Sequence, residues 1–192
     1  MSNAAEKPPV IPDPRNSPVD AQTLIKIKRM MLFTHEDEQY LTMAGEVLAP
    51  HAEDILNKWY ERIVSNNYLA NYFTQSGAPD LNYVHSLRPH FREWISSLCR
   101  RSESMRWWEF EEKIIRQLQL RNIPVDDLDP LSPLFLRYLS TFVFPVSEAG
   151  RYFLNNTGYG SDDIEKMHQA WFKAVSLSAL LWLYPGGQKP PF

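Results

Sequence analysis

Along most of this chain apolar residues return at every third or fourth position, and no segment sustains a period-two alternation bounded by hairpin turns. That recurrence constrains the fold more than any other feature. A 3.6-residue period suits a helix that buries one face, and a strand cannot use it. The stretch from Trp107 to Asn122 is representative. Trp107, Phe110, Ile114, Ile115 and Leu118 share one face, while Glu109, Glu111, Glu112, Lys113 and Arg116 cover the other. Pro124 cannot continue the hydrogen-bond ladder and pushes its neighbour out of the α region, so this predicted helix stops near Asn122.

The other segments follow the same rule. Leu24, Ile25, Ile27, Met30 and Met31 predict a short amphipathic helix over 19–32. Thr34 then stands as an N-cap with Asp37 in the capping-box position, opening a helix over 35–48 that buries Tyr40, Leu41, Ala44 and Val47. Pro50 suits a helix start, and 51–65 follows with Ile55, Leu56, Trp59, Tyr60 and Ile63 on one face. Tyr72 and Phe73 lie in a short aromatic turn or helix over 68–74, and 75–80 reads as a loop. A long helix over 82–100 directs Leu87, Phe91, Trp94, Ile95 and Leu98 inward, with Pro89 kinking it. Phe135, Tyr138, Leu139, Phe142 and Val146 define a helix over 134–153 that Pro145 should bend. Ser161 is expected to cap a last helix whose face is Ile164, Met167, Trp171, Val175, Ser178 and Trp182. The sum is an all-α chain of seven or eight helices. Its uneven lengths and proline kinks suit a globin-like crossing pattern better than a regular four-helix bundle.

At 192 residues this is one domain with tails: a Pro-rich polar arm over 1–18, a helical domain over 19–185, and a short tail over 186–192. The net charge of −3, with no basic stripe interleaved with aromatics, argues against nucleic-acid binding. No apolar run is long enough to cross a bilayer, and the opening stretch lacks the apolar core of a secretion signal. Cys99 is the only cysteine, which fits a reducing cytoplasm and a buried apolar role.

Catalytic signatures are missing. There is no glycine-rich phosphate loop, no nucleophile elbow, no HExxH and no CxxC. The histidines, His35, His51, His85, His90 and His168, show no metal-site spacing. The chain is therefore not expected to be an enzyme. More informative are Tyr60, Phe73, Phe91 and Phe142, which come from four predicted helices and lie on their buried faces. They are either ordinary core or the wall of a pocket for a flat cofactor.

Several stretches carry a family resemblance: FTHEDEQYLTMAGEVLAP, ILNKWYERIVSN, YLANYFT, HFREWISSLCRRS, LRYLSTFVFPV and EKMHQAWFKAVSLSALLWLYP. In this order and spacing they resemble the protoglobins, single-domain relatives of the globin-coupled sensors, from about Met31 to Pro185. The resemblance implies a three-over-three globin fold with an extra N-terminal helix, haem b as cofactor, binding of O₂, CO and NO, and a homodimer formed through the last two long helices. It also implies a distal pocket of Trp59, Tyr60, Phe73, Phe91 and Phe142.

The same resemblance places the proximal, iron-binding position on the helix over 107–122. Counting from the flanking motifs puts either Gln117 or Leu118 there, and no histidine lies within several residues. Haem iron needs a donor such as imidazole or thiolate; an amide oxygen is a poor ligand and leucine is none. Two functions remain. One is a haem-free, dimeric interaction or sensor-type module, with a small apolar or gaseous ligand in the vacated space. The other is a haem globin using an unusual ligand, for which His90 beside Phe91 is the candidate.

Overall fold

A computed structural model describes residues 21–66, 74–75, 78–79, 81–99 and 140–182. Among them run six α-helices: α1 (Ala21–Met30), α2 (His35–Leu48), α3 (Ala52–Val64), α4 (Leu81–Leu98), α5 (Val143–Asn155) and α6 (Ser161–Trp182). A minimal antiparallel pair, β1 (Thr74–Gln75) and β2 (Ala78–Pro79), spans the end of the segment expected as an aromatic turn or helix and most of the segment expected as a loop. The fold is all-α. The helix anticipated over 107–122, with Gln117 and Leu118, lies outside the described residues, as does Phe73.

The helix boundaries have local causes. At the end of α1, Leu32 N donates to Arg29 O (3.1 Å) and Phe33 N to Lys28 O (2.8 Å), a Schellman closure. It places Leu32 at φ 52°, a left-handed conformation that usually falls to glycine. The anticipated capping box then opens α2: Thr34 Oγ1 accepts from Asp37 N, and Asp37 Oδ2 accepts from Thr34 N at 2.6 Å. Pro50 falls in a single 3₁₀ turn, Ala49–His51, that joins α2 to α3. Pro89 is carried inside α4.

Two expectations at the C-terminal helices need correction. The helix anticipated over 134–153 is not continuous: Ser140 is helical, Thr141 and Phe142 form a turn, and α5 restarts at Val143. Pro145 accounts for the break. Within an uninterrupted helix its ring would meet the carbonyl of Thr141, whereas in the first turn of a new helix its missing N–H costs nothing. Ser161 is the first residue of α6 rather than its cap, since the carbonyl of Gly160 already accepts from Ile164 N at 3.0 Å.

α6 is the spine of the described core. It packs on α2 and α5, while α3 packs on α4 and α5. Met167, Ala170, Trp171, Ala174, Val175 and Ser178 of α6 are fully buried, which the periodicity of that segment implied. Two glycines permit close crossings. A β-carbon on Gly45 would lie 2.3 Å from Cys99 Cβ, and one on Gly150 would lie 2.4 Å from Trp171 Nε1. α1 docks through a small separate cluster in which Leu24 meets Leu177 and Leu181. Lys173 of α6 secures the turn that follows: its Nζ donates to Leu32 O (2.8 Å) and to both carboxylate oxygens of Asp37 (2.7 and 2.9 Å). Among the described residues, no helix is long and apolar enough to cross a membrane.

Candidate functional site

Four of the five aromatic residues anticipated as a distal wall, Trp59, Tyr60, Phe91 and Phe142, come together; the fifth, Phe73, lies outside the described residues. Trp59 and Tyr60 occupy successive positions on α3 and are both buried, 5% and 7% exposed. Phe91 sits on α4 and Phe142 at the residue preceding α5, each fully buried. The break before α5 thus places Phe142 at the point where three helices meet. Trp59 is the hub: its ring centroid lies 5.3 Å from Tyr60, 4.9 Å from Phe91 and 5.7 Å from Phe142. Trp94, one turn beyond Phe91, closes the cluster edge-on to Phe91 (6.1 Å) and Phe142 (5.8 Å). Reading the sequence left Trp94 out of the site, although its i+3 spacing from Phe91 puts it on the same face. The indole N–H of Trp94 donates to Ser178 Oγ at 3.1 Å, which satisfies a buried donor and ties α4 to α6.

The outer edge of this cluster is polar. The Arg88 guanidinium lies 5.4 Å from the Tyr60 ring centroid and donates to Glu53 Oε2 (2.9 Å) and to Asn57 Oδ1. It therefore bridges α4 to α3 and sets a cation on the ring of Tyr60.

Haem asks two things of such a site, a slab of apolar space and an axial donor. A flat ring system held between two side chains needs about 7 Å between their planes, two carbon–carbon contacts of about 3.5 Å each. Trp59 stands too close to Tyr60, Phe91 and Phe142 for anything flat to lie between them. The cluster is a filled aromatic wall, and a ligand could rest only against one side of it.

The donor set fits less well. His35 is 81% exposed and sits 3.3 Å from Glu38 at the start of α2. His51 stacks on Phe153 with ring centroids 4.1 Å apart and planes inclined by 9°. His168 lies in a separate groove whose lining includes none of the clustered aromatics. On α4, Phe91 is the inward residue, and His90 beside it is half-buried. From Phe91 through Met167 the sequence contains no histidine at all. None of His35, His51 and His168 is therefore placed against the aromatic cluster to hold a haem there. Among the described residues, no three His, Cys, Asp or Glu side chains gather as metal ligands.

The second feature is the groove itself, about 560 Å³, between α5 and α6. Phe144, Phe172 and Met31 give it apolar walls, and Phe144 and Phe172 are 69% and 45% exposed. On its floor His168, 8% exposed, lies with Nε2 3.2 Å from the buried Ser147 Oγ. Arg151 and Glu165 pair across the rim at 3.1 Å. Burial is the main influence on His168 and holds its pKa below the ordinary imidazole value of 6.5; Arg151 adds to this, and Glu148 and Glu165 oppose it. Ser147 is 1% exposed, so its hydroxyl is turned to His168 rather than to solvent.

No curated protein matches the chain. A protein-family model described as Protoglobin matches residues 20–185, which takes in every described element. The order of helices, the aromatic cluster between α3, α4 and α5, and this match agree with one another: the chain belongs to the protoglobin family, globins that bind haem and diatomic gases.

Proposed function

We propose that this protoglobin no longer retains haem through a proximal histidine and acts as a haem-free, homodimeric interaction or sensor-type module. The carrying observation is the donor set. No histidine falls between Phe91 and Met167, the span that includes the proximal helix of this family, and either Gln117 or Leu118 takes the ligand position. His35, His51 and His168 are engaged elsewhere in the fold. Pairing of two copies through α5 and α6, the family's habit, is supported by the exposed Phe144, Phe172 and Leu180 on these helices. In this reading a small apolar or gaseous ligand takes the place of haem, on the side of Phe91 and Phe142. The working unit is the domain over 19–185, flanked by tails at 1–18 and 186–192. A binding role rather than an enzymatic one follows from the globin family, and the lone buried Cys99 favours a reducing cytoplasm.

Expression with haem supplied, followed by gel filtration, tests this directly. The expected outcome is protein with no stoichiometric Soret absorption. Full absorption that survives the column overturns the proposal and favours a second reading, a gas-binding haem globin ligated by His90. That reading rests on the position of His90, half-buried and one residue from Phe91. It predicts that His90→Ala abolishes or shifts the Soret band, and an unchanged band removes His90 as ligand.

A further inference from the structure

The floor of the α5/α6 groove holds one buried histidine, His168, beside the buried Ser147. Accepting the pairing of two copies through this face, we propose that His168 makes the pairing sensitive to acid: the dimer forms while the imidazole is neutral and separates when it is protonated. A second copy laid over Phe144 and Phe172 removes the remaining water from His168, which is only 8% exposed even in the single chain. A neutral imidazole tolerates that burial, because Nε2 can exchange a hydrogen bond with Ser147 Oγ at 3.2 Å. An imidazolium does not, because it buries a charge.

The surrounding charges do not rescue it. From α5, Glu148 Oε1 stands 3.9 Å from Nε2, beyond hydrogen-bond reach, and Arg151 brings a like charge. From α6, Glu165 is already engaged by Arg151 at 3.1 Å, and Lys173 lines the groove as a second cation while held by Asp37 at 2.7 Å. The turn after α1 contributes only the apolar Met31. Desolvation outweighs the two carboxylates in the single chain, in keeping with the depressed affinity of His168 for a proton.

Two imidazoles enter each symmetric interface, so proton linkage acts twice. Sedimentation of the full chain over a concentration series, from about pH 7.5 to about pH 5.5, is expected to show the dimer dissociation constant rising as the pH falls, most steeply at the acid end. His168→Gln keeps a polar group for Ser147 and cannot titrate in this range, so it should flatten the response; His168→Phe, which leaves Glu148, Arg151 and Glu165 in place, should do the same. A dimer whose affinity falls equally in the wild-type chain and in both variants overturns the role of His168 and leaves the pairing intact. A chain that is monomeric at pH 7.5 at every concentration overturns the pairing as well.

Discussion

Replacing Trp59 by alanine separates a filled aromatic wall from the lining of an open pocket. The Trp59 ring touches Tyr60, Phe91 and Phe142 at centroid distances of 4.9–5.7 Å and is 5% exposed. Truncation removes the transfer energy of the indole and leaves a void walled by Phe91, Phe142 and the α3 backbone. Substitutions of this type cost about 3–5 kcal/mol, and the three ring pairs, at about 0.5–1.5 kcal/mol each, keep Trp59 from the lower end of that range. About 4 kcal/mol, with a urea slope of roughly 2 kcal/mol per molar, lowers the unfolding midpoint by about 2 M. Urea titration followed by far-UV circular dichroism measures the shift. Trp59→Phe, which still meets Phe91 and Phe142, should recover more than half of the loss. A loss below about 1 kcal/mol for Trp59→Ala would refute the reasoning, because it would mean that Trp59 faces open space.

Other perturbations test the scaffold around this cluster. Leu32→Gly should stabilise the chain by about 0.5–1 kcal/mol in the same titration, because Leu32 is 73% exposed and held at φ 52°; a lower midpoint would show that its side chain contributes more than its backbone strain. Gly150→Ala should cost about 1–3 kcal/mol despite alanine's better helix propensity, since its β-carbon would meet the Trp171 indole at 2.4 Å; a neutral result in thermal melts would contradict that close crossing. Asp37→Asn should cost about 1–3 kcal/mol by leaving Lys173 without its carboxylate, and an unchanged melting temperature would count against the clamp. Asp37 also sets a pH response. Burial alone would raise its pKa, but hydrogen bonds from Lys173 and Thr34 outweigh burial and lower it from 3.8. A depressed folded-state pKa contributes stability above the unfolded value, so the contribution of Asp37 is present above pH 3.8 and fades as pH falls through its folded value. Acid titration of Asp37→Asn should lack that component.

The periodicity of the sequence reported faces, and the structure agrees at the described positions of α3 to α6 save for the half-buried Ile164, but not in α1, where Ile25 and Met30 are exposed. Leu41, Ala44, Ile55, Leu56, Phe91, Trp94, Val146, Met167, Trp171 and Val175 are all buried as their spacing implies. Tyr40 and Val47, placed on the inner face of α2, are only half-buried and pack at the edge of the core. A face does not name its partner, however. That Trp59 would meet Phe142, more than eighty positions away, depends on how α3 crosses α5, and spacing along one helix carries no such information. The break at Thr141 was legible in principle, since Pro145 offers no N–H and crowds its own i−4 carbonyl, which kinks or breaks a helix. A bend and a break give the same sequence signal. His168 shows the reverse case. It lies four residues after Ile164 and three before Trp171, on the inward stripe, yet histidine chemistry suggests a surface, and only the groove floor with Ser147 reveals its burial.

Retained aromatics and a missing iron ligand need not conflict. In a haem globin the cofactor is part of the core, so its loss leaves an apolar space that must be tolerated or filled. Here Trp59, Tyr60, Phe91, Trp94 and Phe142 satisfy one another, and their packing stabilises the fold whether or not anything rests against them. Their presence is therefore no argument for a bound cofactor, and ligand linkage separates the two cases. A ligand held at 100 times its dissociation constant adds about 2.7 kcal/mol to the folded state, and for a chain of this size each kcal/mol raises the melting temperature by about 2–4 °C. Haemin titrated against the purified chain should leave the melting temperature where it was. A saturable rise of about 5–10 °C would mean that iron or porphyrin is held by groups other than a proximal histidine, and the haem-free reading would fall.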